Sequence, residues 1–82
     1  MASLEEVKEA MYKMVKDTAG LKKWKAGDLH KGCAELFGED NYDKRGMGKE
    51  AIRELIESGM LVYTYFGGSY IEVPHKEGAS ND

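Results

Sequence analysis

The chain has 82 residues, of which 41% are hydrophobic and 33% charged, with a formal net charge of −3. That composition fits one small globular domain with a single core, and it argues against separate substrate and cofactor domains and against a deep preformed cleft. The lone cysteine, Cys33, cannot form an internal disulfide, so a reducing, cytoplasmic setting is expected. The longest uninterrupted apolar stretch is Met60-Leu61-Val62-Tyr63, far short of the roughly 20 residues that a spanning helix needs. The opening residues are acidic, with no cationic segment ahead of an apolar one, so no signal peptide is expected.

The charge is unevenly spread. Residues 1–20 carry three lysines against four acids, residues 21–53 eight cations against six acids, and residues 54–82 one lysine against five acids. Only the middle third leans basic, and weakly. A dedicated nucleic-acid binder usually presents a strongly basic face, because phosphate neutralisation supplies most of its affinity.

Three helices and a hairpin are predicted in chain order. Ser3-Leu4-Glu5-Glu6 has the pattern of a capping box. Leu4, Val7, Met11, Met14 and Thr18 then recur at spacings of 3, 4, 3 and 4, one face of a helix over about 3–19, stopped at Gly20. Residues 21–27 break that period and predict a short strand near 24–26, around Trp24. Asp28 is the expected N-cap of a second helix, 28–37, with Leu29, Cys33, Leu36 and Phe37 as its buried stripe and Gly38 as its end. Residues 39–43 form a polar turn. Asp43 then caps a third helix, 44–58, whose apolar face is Met47, Ala51, Ile52, Leu55 and Ile56. Gly46 and Gly48 weaken its first turns by about 1 kcal/mol each relative to Ala, and they also admit another backbone closely.

Two runs rich in β-branched and aromatic residues follow, Met60 to Tyr65 and Ser69 to Val73, around Gly67-Gly68. A two-residue loop would put Leu61 and Tyr63 on the opposite face from Ile71 and Val73. A three-residue loop, 66–68 with Gly68 left-handed, pairs Tyr65 with Ser69 and gathers all four on one face. A single buried face is what fixes register, so the longer loop is expected. Residues 75–82 read as a polar, frayed tail, leaving 1–74 as the folded domain.

Helix, short strand, helix, helix and hairpin make the winged-helix arrangement, an α+β fold with a helix-turn-helix and a wing. That order is informative about fold and poorly informative about function. Within it, Lys23-Trp24-Lys25-Ala26-Gly27-Asp28-Leu29, Glu35-Leu36-Phe37 and Gly59-Met60-Leu61-Val62-Tyr63 resemble the small D protein family that accompanies dissimilatory sulfite reductase. The wing here, Tyr65 to Tyr70, is more aromatic than that family's, and the third helix carries two glycines where basic residues are expected. The resemblance implies a cytoplasmic, non-enzymatic accessory to sulfite reduction. It implies either a nucleic-acid binder or a protein partner of the reductase itself.

The residues offer little chemistry. His30 and Cys33 lie three apart, but a metal site needs three or four ligands and the only other histidine is His75. Cys33 is therefore expected in the core and His30 at the surface. Gly46-Met47-Gly48-Lys49 lacks the spacing and preceding strand of a phosphate loop, and Glu50 would repel a phosphate. Asp40, Asn41 and Asp43 lack the glycine and distal glutamate of a calcium loop, so a capped turn is expected there. No serine or cysteine has an in-chain base with an orienting acid, so neither catalysis, a metal nor a cofactor is expected.

Two functions from different classes remain. In the first, Tyr65, Phe66 and Tyr70 cluster at the hairpin tip and dock a protein partner, because large rings with few torsions make good interface anchors. In the second, Lys44, Arg45, Lys49 and Arg53 of the third helix bind double-stranded DNA as part of a transcriptional regulator. Glu50, Glu54 and Glu57 on that helix, and a wing without Lys or Arg from Met60 to Pro74, weigh against the second. The first helix also has apolar surface through which two copies could pair.

Overall fold

A computed structural model of the chain describes residues 2–65 and 67–74. Helix α1 spans Leu4–Asp17. Its capping box is formed on both sides: the Glu6 N–H donates to Ser3 Oγ at 3.1 Å, and the Ser3 N–H donates to Glu6 Oε1 at 2.9 Å. Val7, Met11 and Val15 are its buried residues. Past Gly20, at φ +83°, the chain turns back to Trp24.

The strand expected at 24–26 is reduced to one bridging residue, Trp24, whose carbonyl accepts from the Ile71 N–H at 2.7 Å. The indole N–H donates to Thr18 Oγ1 at 2.7 Å, and the Thr18 hydroxyl donates to the Met14 carbonyl at 2.7 Å. This relay ties the end of α1 to the sheet. Helix α2 spans Ala26–Phe37 and so starts two residues before the position its composition suggests. Asp28 is not the N-cap. It sits in the first turn and reaches back to accept from the Lys25 N–H at 3.2 Å. Leu36, expected in the buried stripe, is 62% exposed.

After a 3₁₀ turn at Glu39–Asn41, Asp43 accepts from the Gly46 N–H at 3.2 Å. The third helical stretch is not uniform. Lys44–Gly48 is a π-helical turn, and only Lys49–Glu57 is α-helical, as α3. Ala51, Ile52 and Leu55 bury its inner face. The N–H groups of Met60 and Leu61 both donate to the Leu55 carbonyl at 3.1 Å, which swings the chain out of α3 into the ribbon.

Strands β1, Val62–Tyr65, and β2, Ser69–Glu72, pair antiparallel with Tyr63 opposite Ile71 and Tyr65 opposite Ser69. The register is the expected one, but the face it gathers is not all buried: Leu61 and Ile71 are fully buried, whereas Tyr63 is 40% exposed. The left-handed loop residue is Gly67, at φ +77°, rather than Gly68, at φ +158°.

Side chains from the helices and the ribbon segment meet in one core: Val7, Met11, Leu29, Cys33, Leu55, Leu61 and Ile71 are its largest fully buried residues. Burial of a large apolar side chain contributes about 1.5–3 kcal/mol, and this cluster is what holds so short a chain together. Lys8 Nζ meets Glu54 Oε1 at 3.0 Å and links α1 to α3 at the core's edge. Three helices, a bridging residue and a two-stranded antiparallel ribbon are an α+β, winged-helix layout. No described helix is long and apolar enough to cross a membrane. Phe66 and the tail read as 75–82 lie outside the described residues.

Candidate functional site

One flank of α3 and the side of β1 enclose an open groove of about 900 Å³. Its apolar lining comes from Ala26 at the start of α2, Ile52 and Ile56 of α3, and Tyr63 of β1. Lys44, Arg45 and Lys49 line it where the π-helical turn meets α3. All three are exposed. None makes an ion pair with a described carboxylate.

Arg53 also lines the groove but is engaged. Its guanidinium pairs with Glu50 and, at 3.1 Å, with Glu57. The hydrogen bond and charge of Glu50 hold Arg53 above its ordinary range, and Arg53 in turn holds the Glu50 carboxyl below its own. The four cations singled out from the sequence thus share one groove. Three are open to an incoming ligand and the fourth is neutralised within the helix.

His30 also lines the groove, and behind it Tyr42 lines a second hollow shared with Lys44. His30 Nδ1 lies 2.6 Å from the Tyr42 hydroxyl, and the rings meet at 40°. The surface placement expected of His30 does not hold: it is 9% exposed, and Tyr42, read as part of a polar turn, is 7% exposed. Gly48 explains why both fit. A Cβ there would collide with the Tyr42 hydroxyl and come within 2.9 Å of His30 Nδ1. Burial, and then the charges of Lys44 and Lys49, hold His30 below its ordinary value of 6.5. Burial likewise raises Tyr42, and pushes the Cys33 thiol up to about 11, so Cys33 is a core side chain. No three described His, Cys, Asp or Glu side chains gather closely enough to hold a metal ion.

The ribbon rings are divided between two faces. Side chains alternate along a strand, so Tyr65 shares a face with Tyr63 and Tyr70 takes the other. Tyr65 is 77% exposed and stacks on Tyr63 at 6.4 Å between centroids. Tyr70 is half-buried, with the ammonium groups of Lys23 and Lys25 at 5.4 and 5.5 Å from its ring. The expected cluster of Tyr65 with Tyr70 is therefore not formed, and Phe66 lies outside the described residues. Tyr63 was not among the residues singled out as a binding ring. The signal was its position two residues before Tyr65, on the same strand face. Comparison of the chain with protein-family models, curated proteins and solved structures finds no match.

Proposed function

We propose that this chain is a non-enzymatic docking module that receives a protein partner in the groove between α3 and β1. One observation carries the reading: half-buried Ala26 and Ile56 and exposed Tyr63, over the buried Ile52, make an apolar floor beside the exposed ring of Tyr65. A duplex presents phosphates, and its reader needs cations along the contact. The open cations here stand at one end of the groove only, and the ribbon carries no Lys or Arg from Met60 to Pro74. Exposed aromatic and aliphatic surface with a polar rim is the composition of a protein interface. The resemblance to the D protein family makes dissimilatory sulfite reductase the first partner to test, in the cytoplasm.

The test is site-specific photocross-linking. A photoreactive residue replaces Tyr65 in the full chain, and a control replaces Lys13 on the exposed surface of α1. An adduct with the purified reductase from position 65, absent from position 13, is expected. Equal adducts from both positions, or none from either, would overturn the reading with this partner.

Double-stranded DNA along α3 is the second reading, favoured by the exposed Lys44, Arg45 and Lys49, which have no ion-pair partner among the described residues. It predicts duplex binding that falls steeply with salt and weakens in Arg45→Ala and Lys49→Ala.

A further inference from the structure

The groove is polarised along α3. Lys44, Arg45 and Lys49 stand at one end without carboxylate partners among the described residues. Toward the other end the Glu50–Arg53–Glu57 cluster neutralises its own cation, and Ile56 and Tyr63 supply apolar surface. The stretch from residue 44 to residue 57 is on the order of 20 Å long, at about 1.5 Å per helical residue. A ligand with charge spread evenly along its length, as on a duplex, matches only one end of such a groove.

We propose that the occupant is an acidic amphipathic segment of a partner protein, with its carboxylates at Lys44, Arg45 and Lys49 and its apolar side chains on Ile52, Ile56 and Tyr63. This rests on the docking reading and adds the occupant's chemistry and direction. The charges are complementary: three exposed cations border one end of the apolar trough, while toward the other end the guanidinium of Arg53 is already paired with Glu50 and Glu57. Arg53 is not counted, because Glu50 and Glu57 already occupy it.

His30 provides an internal reporter. It lines the groove, and the groups facing it are the Tyr42 hydroxyl at 2.6 Å and the charges of Lys44 and Lys49. A carboxylate seated between those lysines offsets their repulsion of the imidazolium, so the His30 titration midpoint rises when the segment binds. Purely apolar occupancy of the far end leaves that midpoint where it is.

The experiment uses the full chain, isotope-labelled for NMR, and three short synthetic peptides. One has aspartates at one end and leucines at the other, one has asparagines in place of the aspartates, and one has alanines in place of the leucines. A spin label on the acidic end of the first reads direction. The inference expects the first peptide to shift amides at both ends of the groove, to broaden those of Lys44–Lys49 more than those of Ile56 and Tyr63, and to raise the His30 midpoint. Lys44→Glu combined with Lys49→Glu, or asparagine for aspartate, weakens binding about tenfold. Binding unchanged by asparagine, or label broadening centred on Ile56 and Tyr63, overturns the inference and leaves the docking reading standing. Failure of every peptide to shift the groove at millimolar concentration overturns the inference. If a DNA duplex then shifts Lys44–Lys49, the docking reading falls with it.

Discussion

The His30–Tyr42–Gly48 junction and the β1–β2 ribbon flank the same groove and are built on opposite terms. At the junction two polar side chains are buried, satisfy each other at 2.6 Å, and fit only because the residue between them has no side chain. On the ribbon, Tyr63 and Tyr65 stack in the open with no buried polar obligation. One flank is tightly constrained and reaches the groove through His30. The other is loosely constrained and free to specialise for a partner. Sequence change should therefore cost stability at the first and binding at the second.

Gly48→Ala is the harshest test of that contrast. The new methyl forces Tyr42 or His30 out of place, at about 1–3 kcal/mol for an overpacked site. The helical preference of Ala over Gly returns less than about 1 kcal/mol. A net loss in urea-unfolding free energy is expected, and an unchanged midpoint would show that the junction is not tight.

Tyr42→Phe leaves the geometry but removes the partner of a buried imidazole nitrogen. A loss of about 1–2 kcal/mol is expected, the cost of an unsatisfied buried group. Chemical unfolding at neutral pH measures it.

A smaller effect is expected from pH. His30 in the folded chain is held below 6.5, its ordinary unfolded value. The unfolded state then binds more protons between the two values, so stability is full above about pH 6.5 and declines as pH falls through the folded midpoint. Thermal melts across that window should show the decline, and His30→Gln should flatten it.

Tyr65→Ala is expected to change stability least, within about 0.5 kcal/mol, because the ring is exposed. The proposed docking should nevertheless weaken in a binding titration of the Tyr65→Ala chain when the stacked pair is broken. A large stability loss here would erase the contrast between the two flanks.

Much of this fold was legible in the sequence because its strongest signals are local. The Ser3–Glu6 box, the apolar spacing of α3 and the need to bury one ribbon face each depend on residues close in the chain. The misplaced features depend on distant ones. Asp28 accepts from a backbone N–H whether it caps a helix or sits in its first turn, so residue type alone does not locate the start of α2. The junction joins residues 12 apart that no spacing rule connects. Its burial of His30 also turns the inner face of α2 toward that residue, and Leu36, about 65° from the centre of the stripe at 100° per residue, is left at its exposed margin. The two glycines of the π-helical turn were legible as a weakness of the helix. The clash that Gly48 avoids appears only once Tyr42 is folded against it. The site was half legible: the cations were found one by one, while the apolar trough between them comes from three separate elements.

Trp24 carries a practical consequence. It is the chain's single tryptophan, clamped between the end of α1 and β2 and absent from the groove lining. Its intrinsic emission will follow the integrity of the helix–ribbon clamp and stay silent to whatever fills the trough. Unfolding and ligand occupancy can thus be read in one cuvette as separate optical channels, the second through a dye on the ligand.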